Sequence, residues 1–415
     1  MNRLDKYIKQ IRGISYNPKD ISEVQLEDYL PILKANNIQE NGLETSKLIY
    51  IHKSKIKEEQ LIKKGDLLLA ASSGSKDIVG KNVFFENDFN GSFGAFCKVV
   101  RPNQNIYPGF LSVFFKTPLY KRHIRNLIQG ANINNLRNED IDSLKIPEFS
   151  QQDQLHIANT LSKAENLITQ RKQSIALLDE FLKSTFLEMF GDPVRNEKGW
   201  NVETIDNLCT EIVDCVNRTA PLVDYPTEYV MIRTSNVRNS KINFKDTRYV
   251  TKEIFDKWTR RLLPKKGDII FTREAPTGEA AIIDFERNIF LGQRTMLFRP
   301  NIEIVNAYFL LFQLMGTDLA QQINKLSSGS TVKHLSVPAC KKFIIKVPLL
   351  ALQNQFAQVV EKTEALKAYY QSSLQELENL YGSLSQRAFK GELTLNHAEE
   401  VLLAAEPEAK YNPKL

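Results

Sequence analysis

The feature that most constrains this chain is a single long-range repetition of itself. The segment YLPILKANNIQENGLETSKLIYI (29–51) has a counterpart in YVMIRTSNVRNSKINFKDTRYV (229–250). Asn37 and Tyr50 fall on Asn236 and Tyr249, each 199 positions on. KKGDLLLA around Gly65-Asp66 matches KKGDIIFT around Gly267-Asp268, and Arg101-Pro102 matches Arg299-Pro300. Gly130 and Leu136 match Gly329 and Leu335, and Pro147, Gln152 and Gln154 match Pro348, Gln353 and Gln355. One such match arises by chance; five in the same order do not. A period near 200 residues is too long for a solenoid, so the repeated unit is a whole domain. The 415 residues have room for two or three such units. Each Gly-Asp sits where a turn feeds an apolar strand, and we read Gly-Asp and Arg-Pro as fold-determining rather than contact residues.

Between and after the two copies the pattern changes. From 150 to 190 there is no proline, and Gly191 closes the stretch. Ile157, Leu161, Ala164, Ile168, Ile175, Leu178, Leu182 and Met189 recur at alternating spacings of four and three, with Arg171 and Thr185 as polar interruptions. After Pro348 the same rhythm returns in Phe356, Val359, Thr363, Leu366, Tyr370, Ser373, Leu377, Leu380 and Leu384. Lys390-Gly391 closes the second run as Gly191 closes the first. Each predicted helix of about 40 residues spans roughly 60 Å, more than one small domain can cover. Two matched apolar stripes bury each other most simply, so the expectation is an antiparallel coiled coil. Such pairing makes the chain pseudo-two-fold, with one globular copy toward each end. Symmetric proteins read two half-sites at fixed separation on a duplex; here the copies differ, so the half-sites would differ.

Composition narrows the chemistry. A net charge of +6 and a pI near 8.9 suit a polyanionic partner without requiring one. No apolar run is long enough to span a membrane, and MNRLDKYIKQIRG does not read as a secretory signal. The four cysteines, Cys97, Cys209, Cys215 and Cys340, are scattered and read as reduced thiols of a cytoplasmic protein. The five histidines, His52, His123, His156, His334 and His397, show no metal-ligand spacing. An adenine methyltransferase would need an N/D-P-P-Y/F run, and the chain has no Pro-Pro pair. No phosphate-binding G-x-x-x-x-G-K-S/T loop occurs.

Two variable domains, each followed by a long helix that begins after P-x(4)-Q-x-Q, resemble the specificity subunit of a type I restriction-modification enzyme. The resemblance runs from about Ile14 to Leu393. It includes the asparagine segments at Asn37 and Asn236, the two KKGD turns and the run from Gly329 to His334. It also includes IKVP (Ile345 to Pro348) and RAFKGEL (Arg387 to Leu393). The resemblance implies an α+β fold with two mixed α/β target-recognition domains, separated by two long antiparallel helices that form a coiled coil. The corresponding division is 1–148 and 193–348 for the recognition domains, 149–192 and 349–394 for the central and distal spacer helices, and 395–415 for a tail. It implies a subunit that is not a catalyst by itself and holds no cofactor. Double-stranded DNA would be bound by both domains, and two modification subunits would dock on the helices. Those partners would carry S-adenosylmethionine, and restriction/translocase subunits would carry ATP and Mg. From the residues alone, a coiled-coil scaffold with two ligand-binding domains and no DNA role stays open.

DNA contact requires donors to phosphate and a few side chains that reach base edges. Ser328, Gly329, Ser330, Thr331, Lys333 and His334 form one small, polar, basic run suited to cradling a phosphate. The matching run in the first copy is Asn132, Asn134, Asn135 and Arg137, where asparagine can pair with adenine. The loops after the Gly-Asp strands are the second set: Ser73, Ser75 and Lys76, and Thr272, Arg273 and Thr277. Arg273 either reads a guanine or pairs with Glu274 or Glu279. GANINNL against GSTVKHL and SSGSKDIVG against REAPTGEAA are where the copies diverge.

Overall fold

The computed structural model describes residues 1–39, 42–131, 135–326 and 334–395, without the side chains of 129–131. The chain divides into two compact units, Met1–Lys172 with Ser372–Leu415, and Gln173–Gln371. Each unit therefore contains one sequence copy and part of each long helix.

In the first unit a four-stranded antiparallel sheet is built from β1 (Ile8–Arg12), β2 (Leu67–Ala70), β3 (Asn82–Phe84) and β4 (Cys97–Pro102), in the order β1-β4-β2-β3. All four residues of β2 are buried. Alternation along the strand explains its unbroken apolar run, because both faces of the sheet are covered. Leu67 and Leu69 enter a core with Phe110, Phe114, Ile157 and Leu161, whereas Leu68 and Ala70 enter one with Leu33, Ile38 and Phe93. The second core lies under a three-stranded sheet in which Tyr29–Leu33 pairs antiparallel with Ile49–His52 and parallel with Ser92–Phe93.

The second unit repeats this construction with β5 (Cys209–Asp214), β6 (Ile269–Thr272), β7 (Ala280–Ile282) and β8 (Thr295–Pro300), in the order β5-β8-β6-β7. Ile269 and Phe271 face one core and Ile270 the other. Val230–Ile232 pairs with Arg248–Tyr249 and, in parallel, with Ile289–Leu291.

The repeated short motifs have structural reasons. Gly65 and Gly267 lie at φ +88° and +90°, where a side chain is strained. The adjacent Asp66 is 1% exposed and is gripped by Arg101 through Nε (2.8 Å) and Nη2 (2.7 Å). Asp268 and Arg299 reproduce the pair at 2.8 and 2.7 Å. The carboxylate raises the proton affinity of each guanidinium. The Gly-Asp and Arg-Pro motifs thus recur together because they are the two halves of one buried ion pair. The glutamine match shifts by two positions: Gln154 Oε1 accepts from Tyr107 N and Gln353 Oε1 from Asn306 N, so Gln154 corresponds to Gln353.

The long helices are α1 (Gln151–Phe190) and α2 (Leu350–Lys390), of 40 and 41 residues. Within the first unit Ile157, Ala158 and Leu161 of α1 share a core with Ala388 and Phe389 of α2, and Lys172 pairs with Glu378 at 2.9 Å. The chain numbers rise along α1 as they fall along α2, so the segments run antiparallel. Within the second unit Leu182, Phe186 and Phe190 pack with Phe356 and Val360, and Lys367 pairs with Asp179, again antiparallel. The predicted seam of α1 is buried or half-buried throughout. In α2 the prediction fails at Leu366 and Leu380, which are 40% and 49% exposed; Lys367 and Tyr381 take the inward positions. A 3.6-residue helix drifts against a strict heptad, so a seam read at fixed spacing slips by one residue.

The helix ends are anchored by equivalent aromatics. Phe389 of RAFKGEL packs at 5.3 and 5.5 Å from Phe110 and Phe114, and Phe190 at 4.9 and 5.5 Å from Phe309 and Phe356. Gly191 and Gly391 follow at φ +77° and +89°, the left-handed residue that ends a helix.

Candidate nucleic-acid interface

The predicted contact loops, distant in sequence, meet in each unit, and the same backbone bonds join them. In the first unit Leu136 N donates to Ala71 O (2.7 Å), and Ser72 bridges to Asn135. This sets the loop after β2, with Ser73, Ser75 and Lys76, beside Asn135 and Arg137. In the second unit Leu335 N donates to Arg273 O (3.2 Å), which sets the loop after β6 beside His334.

A third loop joins both clusters. Ala71 N donates to Phe96 O (2.9 Å) and Arg273 N to Arg294 O (2.8 Å). Phe96 and Arg294 occupy the turn before β4 and before β8. The turn is closed by Cys97 N to Gly94 O (2.8 Å) in one copy and Thr295 N to Gly292 O (3.3 Å) in the other. Gly94 N and Gly292 N donate to Leu33 O and Ile232 O, tying each turn to the three-stranded sheet.

In the first unit Ser75 N donates to Ser73 Oγ (3.1 Å), and Ser75, Lys76, Asn135 and Arg137 are exposed. Arg137 N donates to Asp140 Oδ2 (2.7 Å), which places Arg137 at the N-cap of the helix Asn138–Asp142. Lys98 Nζ, half-buried, donates to Leu136 O and Asn138 Oδ1, both at 2.8 Å, and clamps the loop from below. Burial lowers its proton affinity, opposed by Asp140 and Asp142. Asn132 and Asn134 lie outside the described residues.

In the second unit Thr272 is fully buried; its hydroxyl donates to Pro276 O (2.7 Å) and accepts from Glu279 N (3.0 Å). Thr272 therefore shapes the loop and does not face solvent. Thr277 Oγ1 donates back to Arg273 O (3.4 Å). Arg273 is half-buried, with Nη1 donating to Leu335 O (3.2 Å), so it pairs with neither expected glutamate. Glu274 instead meets Arg294 Nε (2.9 Å) and His334 Nδ1. Ser328, Gly329, Ser330, Thr331 and Lys333 lie outside the described residues. The asparagines at 37 and 236 are buried: each side-chain oxygen accepts from a backbone N–H, of Lys34 and Arg233, and each amide donates to a carbonyl, of Glu44 and Asn243.

The surface that results is polar and largely basic, with Phe96 as an exposed apolar member, and is presented on loops held by sheet edges. The copies share the backbone bonds that join the loops and differ in side chains and in the length of the loop after the Gly-Asp strand, 71–81 against 273–279. Among the described residues no group of His, Cys, Asp or Glu is placed to hold a metal ion, and no helix is long and apolar enough to cross a membrane. Sequence reasoning missed Phe96 and Arg294. The available signal was FGAF (93–96) against LGQR (291–294), at the start of the strands that end in the matched Arg-Pro pairs.

Comparison with known proteins agrees with this duplicated organisation. The family model described as type I restriction modification DNA specificity domain matches twice, over 9–178 and 197–379. The chain is 28% identical to the type I restriction enzyme EcoKI specificity subunit of Escherichia coli K12, covering 92% of this chain and 87% of that protein. It is 27% identical to the StySPI specificity subunit of Salmonella potsdam, with the same coverage, 92% and 87%. A crystal structure of the S subunit of a type I restriction-modification system from M. genitalium superimposes with a TM-score of 0.56 at 14% identity, covering 94% of this chain and 95% of that one.

Proposed function

Because the chain belongs to the type I restriction-modification DNA specificity family and carries its domain twice, we propose that each copy reads one half-site of a two-part sequence in double-stranded DNA. The observation that carries this reading is the three-loop cluster, built twice by equivalent backbone bonds and furnished with different side chains. A shared frame whose exposed loops differ between the copies is what two different half-sites require. A ligand-binding scaffold without a DNA role is disfavoured by the family match.

In this reading the chain supplies specificity and no chemistry. The missing N/D-P-P-Y/F and phosphate-loop motifs support that division. S-adenosylmethionine, ATP and Mg then belong to modification and restriction/translocase subunits. Two modification subunits dock on α1 and α2. Leu167, Leu177 and Phe181 on α1, and Leu366, Tyr369 and Leu380 on α2, are exposed apolar side chains that support a protein partner there. The complex acts in the cytoplasm, which suits four free thiols.

The test is methylation mapping of a host genome carrying the modification subunits, with and without this chain. The expected result is one two-part motif, methylated only when the chain is present. Methylation that is identical in both strains would overturn the proposal.

A further inference from the structure

We propose that the turn residue before the last sheet strand is a base-reading position in both copies, Phe96 taking a thymine methyl in one half-site and Arg294 a guanine in the other. The inference rests on the reading of the chain as a DNA-specificity protein and names residues for it.

Position 96/294 is the hub of each loop cluster. Its carbonyl accepts from residue 71 or 273, whose own carbonyl accepts from residue 136 or 335. Its backbone therefore joins the three loops, and in the second copy its side chain reaches Glu274 of one neighbouring loop, which in turn meets His334 of the other. The rest of the first turn turns inward: Gly94 and Cys97 are buried and Ala95 half-buried, while Phe96 is 67% exposed. Among the described residues the phenyl ring joins none of the buried apolar clusters. Burial against a thymine C5-methyl would take it from water.

Arg294 stands at φ +69° in a turn position that favours glycine or asparagine. Local backbone preference does not account for arginine there. Its side chain is 58% exposed, and its guanidinium rests against Glu274, whose other oxygen faces His334. The arginine side of this pair is open to solvent, and Glu274, 16% exposed, keeps His334 as a partner when the guanidinium leaves it. Glu274 orients the guanidinium in the free protein, and the O6 and N7 acceptors of guanine offer a bidentate replacement. The guanine acceptors and the thymine methyl both lie in the major groove. One structural position thus reads the same groove in both half-sites with opposite chemistry, apolar in one copy and cationic in the other.

The test uses the chain assembled with its modification subunits in a host lacking other adenine methylation. Methylomes are mapped for the wild type, Phe96→Ala and Arg294→Ala, with melting temperatures measured in parallel. The expected result is that R294A relaxes one guanine position in one half-site and F96A one thymine position in the other. Discrimination at the guanine should fall roughly 5- to 150-fold, and at the thymine about 4-fold, the burial of one methyl group. Replacing that thymine by uracil should weaken wild-type methylation and leave F96A indifferent. Folded variants that keep the wild-type motif at full stringency would overturn the inference. So would a uniform drop across all sites, which would assign the residues to phosphate contacts. A wild-type chain that directs no two-part motif would instead overturn the underlying functional reading.

Discussion

Replacing Asp268 with asparagine removes the charge from a carboxylate that is 1% exposed and accepts from Lys265 N, Arg299 Nε and Arg299 Nη2. An amide oxygen in place of Oδ2 still accepts from Lys265 N and Arg299 Nη2 but sets its NH2 group against Arg299 Nε. Breaking a buried ion pair by changing one partner costs about 3–5 kcal/mol. Arg299 retains Leu263 O and is 17% exposed, so water partly compensates it and the lower end, about 3 kcal/mol, applies. For a unit of this size each kcal/mol lowers the melting temperature by roughly 2–4 °C, which predicts a fall of roughly 6–12 °C. Calorimetry on the wild type, D268N, R299M and the double variant gives the full cycle. The double variant should recover much of the loss, because replacing both partners removes the uncompensated charge. A shift of about 2 °C or less for D268N, or a double variant as unstable as the sum of the singles, would refute the reasoning. Asp66→Asn should do the same to the first unit.

Phe389→Ala should cost about 3–5 kcal/mol by denaturant titration, since the ring is 3% exposed among Phe110, Phe114 and Phe149; a loss below about 1 kcal/mol would place RAFKGEL outside the core. Burial pushes the thiols of Cys97, Cys209 and Cys340 up to about 12, so they stay protonated at pH 8. Native protein should therefore resist iodoacetamide at these sites and react quickly in urea, as read by mass spectrometry; rapid native labelling of Cys97 would contradict the burial. Four residues inserted into α1 or α2 lengthen it by about 6 Å, nearly two base pairs at about 3.4 Å each. The half-sites should stay fixed while the gap in the methylated motif grows, and an unchanged gap would count against the helices as spacers.

The duplication and the helices were legible in the sequence because their determinants are periodic or rigidly local. A turn that needs positive φ demands Gly65 and Gly267, and an ion pair demands both Asp66 and Arg101. The register of α2 was less legible, since helix drift moves Lys367 and Tyr381 inward in place of Leu366 and Leu380. Loop partners were harder still. Arg273 turns to the Leu335 carbonyl, 62 positions on, and leaves Glu274 to Arg294, a choice fixed by tertiary packing rather than by near neighbours. Thr272 looked like a contact residue because its hydroxyl is polar, but that hydroxyl is consumed inside its own turn. Phe96 and Arg294 escaped notice because a search for repetition finds what two copies share, whereas reading residues are where they differ.

The most direct measurement exchanges residues 1–148 for the corresponding segment of another specificity subunit and maps methylation of the hybrid with the same modification subunits. The account predicts that one half-site changes completely while the other half-site and the gap stay as they were. A hybrid that alters both half-sites, or neither, would contradict the claim that each copy reads its own half of the target.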